Sequence, residues 1–106
     1  MAASRKPRAQ RRAEGRRDAK IVRERERLAT LEPGGTPERP IEVVTAALVE
    51  PKARSTPCPV CSAAVRVAEH TARSVRGVPL RLAHVACPMC GHARVIYFVI
   101  REPMPN

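Results

Sequence analysis

Aromatic side chains are almost missing from this chain of 106 residues, which has one Tyr, one Phe and no Trp. A core of ordinary size, built on large rings, is therefore excluded. Long apolar runs are missing too, so no stretch is long enough to span a bilayer, and no membrane partner is expected. The Arg-rich start lacks the apolar stretch of a secretory signal, and the expectation is a cytoplasmic protein with reduced thiols. Acids are sparse, 10 against 20 Lys and Arg, for a formal net charge of +10. No Ser/His/Asp arrangement, paired carboxylates or phosphate-cradling glycine loop can be picked out, so no enzyme and no small-molecule substrate is expected.

Cysteine is also rare, but its placement is specific. All four cysteines fall in two Cys-x2-Cys pairs, Cys58-Pro-Val-Cys61 and Cys87-Pro-Met-Cys90. Two intervening residues let a tight turn aim both sulfurs at one point, and Zn²⁺ takes four such ligands at about 2.3 Å. The proline after each first cysteine fixes φ for a turn, and Gly91 follows the second pair where a positive φ is often needed. Twenty-five residues separate the pairs, enough for a hairpin that returns to its start.

Two other chemistries use this spacing. Disulfides are disfavoured by the absence of a secretory signal. Thiol–disulfide catalysis needs a pair at a helix N-terminus, whereas both pairs here flank strand-like runs. A shell of four thiolates leaves no position open for water or substrate, so one structural Zn²⁺ is expected rather than a catalytic one. With the ion bound, the formal charge falls to about +8. His70, His84 and His92 are expected in surface or packing roles, because four cysteines already complete the shell.

On these residues the chain resembles the zinc-ribbon superfamily, with CPVC and CPMCG matching its two knuckles over roughly residues 56–101. The resemblance implies a small mostly-β zinc ribbon and a metal, and leaves the function open. Ribbons that assist transcript cleavage carry an adjacent acidic pair at the hairpin tip. Here the matching stretch, Arg73-Ser74-Val75-Arg76-Gly77, has no acid, and that activity is not carried over.

Alternation at Val65-Arg66-Val67 and Leu80-Arg81-Leu82, with Gly77 between them, predicts a hairpin. Arg94 to Ile100, rich in β-branched and aromatic residues, predicts a third antiparallel strand. That last strand is apolar at both parities, so both of its faces need a cover. Ile41 to Val49 is the nearest candidate, adding a fourth strand or lying across the sheet before Pro51 ends it. The rivals are the stripe Ile21, Leu28 and Leu31, or a protein partner docking on Ile96, Phe98 and Ile100.

The composition changes sharply toward the N-terminus. Residues 1–30 hold eleven basic residues against four acids, and good helix formers predict a helix over about 8–31 despite Gly15. Its apolar stripe is thin, so the first half is expected to be solvated until it meets a partner. Residues 1–32 thus read as a basic arm, 33–40 as a Pro/Gly linker acting as a hinge, 41–101 as the ribbon domain and 102–106 as a tail.

A dense Arg array suits phosphate, which guanidinium grips in bidentate fashion. The candidate nucleic-acid contacts are Arg5, Lys6, Arg8, Arg11, Arg12, Arg16, Arg17, Lys20 and Arg23 on the arm, with Arg73 and Arg76 at the ribbon tip. The competing reading is a solvated helix laced by Glu14/Arg17 and Glu24/Arg27 pairs worth tenths of a kcal/mol. Two functional classes follow: a nucleic-acid or ribonucleoprotein accessory factor, or a protein-interaction module using the last strand. The heavy use of Arg, Ala and Pro is associated with GC-rich bacteria.

Overall fold

In the computed structural model, residues 7–102 are described. Helix α1 spans Arg8–Thr30, strand β1 Ile41–Val43, a single 3₁₀ turn Ala46–Leu48 and helix α2 Val49–Arg54. Three longer strands follow, β2 at Arg66–Val75, β3 at Val78–Ala86 and β4 at Ala93–Ile100. They form one open sheet in the order β1-β4-β3-β2, antiparallel except for β1, which runs parallel to β4. The expected three-stranded sheet, fourth strand and N-terminal helix are therefore all present.

The β2–β3 hairpin turns on two residues, Arg76 and Gly77, with φ of 52° and 79°. Two successive positive φ values match the right-handed twist of the flanking strands, which is why a glycine stands there. Leu82 faces Tyr97 and Ala83 faces Ile96 across β3 and β4, so adjacent residues feed opposite sides of the sheet. On one side Ala83, Val85, Ile96 and Phe98 form the main core, and on the other Leu80, Leu82 and Val99 form a smaller one.

Each side has its own cover, and both come from this chain. Val43, Val49 and Ala53 close over Phe98, which is 0% exposed, and burying such a ring stabilises the fold by about 1.5–3 kcal/mol. Pro51 does not end this segment as expected. It sits in the first turn of α2, where its missing N–H has no helical partner to lose. The second side is covered by residues expected to be a hinge: Pro37 and Pro40 lie beside Val75, Val78 and Val99, and Glu38 reaches Arg76 at 3.9 Å.

That segment is tied down rather than loose. Gly34 N–H donates to Arg39 O at 2.6 Å, and Gly34 O accepts from the Tyr97 amide at 2.9 Å. Arg39 also donates to Leu31 O at 2.6 Å, capping the end of α1. The rival cover by the α1 stripe is corrected as well. Ile21, Leu28 and Leu31 remain 49%, 49% and 56% exposed, and α1 instead buries Ala29.

Gly34 generates a sharp prediction. Its φ is +85°, and an added Cβ would stand 2.8 Å from Ile41 Cδ1 and 2.9 Å from Ile96 Cγ2. Gly34→Ala is expected to lose about 2 kcal/mol or more in denaturant unfolding, combining left-handed strain with overpacking. Gly15→Ala, in open space within α1, is expected to gain about 1 kcal/mol of helix stability.

Candidate metal centre

The two Cys-x2-Cys turns are built alike. In the first, Ser62 N–H donates to Cys58 O at 2.8 Å and Cys58 N–H to Ala63 O at 2.9 Å. In the second, Gly91 N–H donates to Cys87 O at 2.9 Å and Cys87 N–H to His92 O at 2.8 Å. Closing each turn requires a left-handed residue right after its second cysteine. Gly91 takes that role at φ 79°, as expected, and Ser62 takes it at φ 64° with some strain.

The turns stand at the ends of β2 and β3 nearest the main core, with Cys58 and Cys87 buried and Cys61 and Cys90 exposed. All four sulfurs lie within 4.8 Å of one another. Cys58 Sγ is 3.6 Å from Cys90 Sγ, and Cys61 Sγ is 3.4 Å from Cys87 Sγ. Four sulfurs about 2.3 Å from a common centre stand about 3.8 Å apart, so the cluster is positioned to coordinate one metal ion.

Electrostatics point the same way. The Cys90 amide aimed at the Cys87 sulfur, aided by that of Met89, brings the Cys87 thiol down to about 6 against the cost of burial. At Cys90 the His92 amide pulls downward too. Burial and the sulfurs of Cys58, Cys61 and Cys87 outweigh it and push the thiol up to about 12. Cys61 follows this pattern: the Ala63 amide favours its thiolate, but contact with Cys87 and burial leave it raised. The set invites the first thiolate and resists the last, and a cation at the centre removes that resistance.

Residues not singled out in the sequence as supports surround the centre. Arg25 on α1 donates to Val60 O in the first turn at 2.5 Å. Glu26, its neighbour, pairs with His92 Nδ1 beside the second turn at 3.5 Å. Arg94 lies half-buried close by, where desolvation lowers its pKa while Glu32 and Cys58 favour its charge. Only long-range packing unites these residues, so no local spacing could have disclosed them. Among the described residues no histidine joins the metal cluster: His84 bonds Thr71 Oγ1 at 3.2 Å, and His70 is half-buried.

The remaining candidate residues are dispersed. Arg8, Arg11, Arg12, Arg16, Arg17, Lys20 and Arg23 are exposed along α1, while Arg5 and Lys6 lie outside the described residues. Arg73 and Arg76 are exposed near the hairpin turn, on the opposite end of the sheet from the cysteines. The docking surface expected at Ile96, Phe98 and Ile100 is corrected. Ile96 and Phe98 are 2% and 0% exposed because Val43, α2 and the cysteine turns seal that side, and Ile100 packs half-buried against it. Exposed apolar side chains occur instead at Val44 and Leu48, which line an open groove of about 590 Å³ beside β1.

In comparisons with known proteins, the chain matches no family model, no curated protein and no solved structure. No helix among the described residues is long and apolar enough to cross a membrane.

Metal uptake by thiols displaces protons, so affinity is expected to fall as the pH drops through about 6, where Cys87 also becomes protonated. In weakly buffered titrations, uptake at about pH 5 should release about one more proton per ion than at about pH 7.5. Equal release at both values would show that Cys87 is not the early thiolate.

Proposed function

We propose that this chain is a non-enzymatic structural-zinc protein of the zinc-ribbon kind, binding nucleic acid or a ribonucleoprotein assembly through its basic arm. The supporting observation for the metal is the convergence of four sulfurs, two from each of two matched turns. Zn²⁺ fits a tetrahedral all-thiolate shell, and such a shell is coordinatively closed. The ion then acts on folding, joining the start of β2 to the end of β3 in a domain too small to be held by its apolar core alone.

The supporting observation for the partner is the way α1 is held. Only its last turns meet the sheet, through Arg25, Glu26 and Ala29, while the cationic residues from Arg8 to Arg23 stay exposed. Arginines kept in water along a helix are suited to phosphate oxygens. The arm supplies the charge, and the metal-organised sheet supplies its fixed base.

Elemental analysis is expected to find one zinc per chain, and chelation should abolish the β-sheet signal in circular dichroism. Metal-free protein that keeps its tertiary order would end the structural-zinc reading. Binding to mixed-sequence RNA and DNA is expected at low salt and should weaken steeply as salt rises, with removal of residues 1–30 flattening that dependence. No binding at low salt would discard the nucleic-acid reading and leave the zinc reading standing.

A further inference from the structure

We infer that the arm's partner is a nucleic-acid duplex, gripped along its phosphate backbone by one stripe of α1: Arg8, Arg12, Arg16, Lys20 and Arg23. This rests on the nucleic-acid reading above and adds which face binds and which form of nucleic acid it fits.

The stripe follows from the helix period. Its members stand four, four, four and three residues apart, so they share one side of the helix within an arc of roughly 120°. All five are exposed. The residues that hold α1 to the rest of the fold, Arg25, Glu26 and Ala29, all lie beyond the stripe's C-terminal end, with Arg25 and Ala29 on another side of the helix and Glu26 on the meridian of Arg8. Docking therefore leaves the stripe open along its whole length.

Acids are sparse on this face between Arg8 and Lys20. Glu14 and Asp18 fall on the meridian of Arg25 and Ala29, Glu26 shares the meridian of Arg8 but lies beyond the last stripe residue, where it pairs with His92, and Glu24 borders Lys20 while it holds Arg27. From Arg8 to Lys20 the stripe thus presents positive charge at intervals of about 6 Å. From residue 8 to residue 23 the stripe runs about 23 Å, roughly two-thirds of one turn of a duplex.

The choice of duplex over single strand comes from the aromatics. Proteins that hold single strands stack bases on exposed rings. Here Phe98 is fully buried and Tyr97 is half-buried in the central part of the sheet, and the stripe itself contains no ring. A straight cationic rod offers nothing to an unstacked base, whereas a stiff duplex already holds its phosphates in a regular row. DNA and RNA duplexes share that chemistry, and separate probes distinguish them.

The test uses the full-length, zinc-loaded chain with fluorescent mixed-sequence DNA duplex, RNA duplex and single strand of equal length, across a salt series. The pair Arg12→Gln and Arg16→Gln lies on the stripe, and the charge-matched pair Arg11→Gln and Arg17→Gln lies off it. Glutamine keeps helix propensity, and circular dichroism verifies that both variants remain folded. The expected result is tighter binding to at least one duplex than to the single strand. The on-stripe pair should reduce the log–log salt slope by about 2 and the affinity at least about tenfold, and the off-stripe pair should cost less than half as much on the same logarithmic scale. Equal losses from the two pairs would overturn the stripe, and preference for the single strand would overturn the duplex. Both outcomes leave the nucleic-acid reading intact, whereas no binding to any probe would remove that reading itself.

Discussion

Four sulfurs brought within a few ångströms of each other constrain everything else in this fold. The cysteines sit where β2 begins and where β3 ends, so their convergence fixes the register of a long hairpin from its open end, while the Arg76-Gly77 turn fixes it from the other. Neither device alone would hold a sheet with so few large side chains. The main core is built of Val, Ala, Ile and a single Phe, and two of the cysteines themselves belong to it. Metal site and apolar core are one structure, sharing Cys58 and Cys87.

Much of this was legible in the residues. The Cys-x2-Cys spacing located the centre, alternation and β-branched runs located three strands, and apolar residues at both parities of β4 announced that two covers were needed. What could not be read was the identity of one cover. Pro and Gly at high density suggest a hinge, yet Gly34 is buried because only a residue without Cβ fits between Ile41 and Ile96. Local sequence carries the signal for a turn but not for what the turn packs against.

The same limit explains the error at β4. Ile96 and Phe98 read in sequence as open to a partner, beside the rival reading that Ile41 to Val49 covers them, and local patterning could not choose between the two; β1 and α2 supply the cover. The arm was read well as a helix and poorly as a docked element. Its visible stripe, Ile21 and Leu28, turned out to be exposed, while a small residue, Ala29, made the buried contact. Small side chains permit close approach of backbone, and hydrophobic patterning overlooks them.

The paired attachment of α1, Arg25 to the first cysteine turn and Glu26 beside the second, has a mechanical consequence. Both anchors grip the root of a rod whose free portion runs about 25 Å further, from residue 24 back to residue 8. Any relative shift of the two thiolate loops is geared into a larger sweep at the far tip. An ion closing those loops would therefore set the compass heading of a helix it never touches.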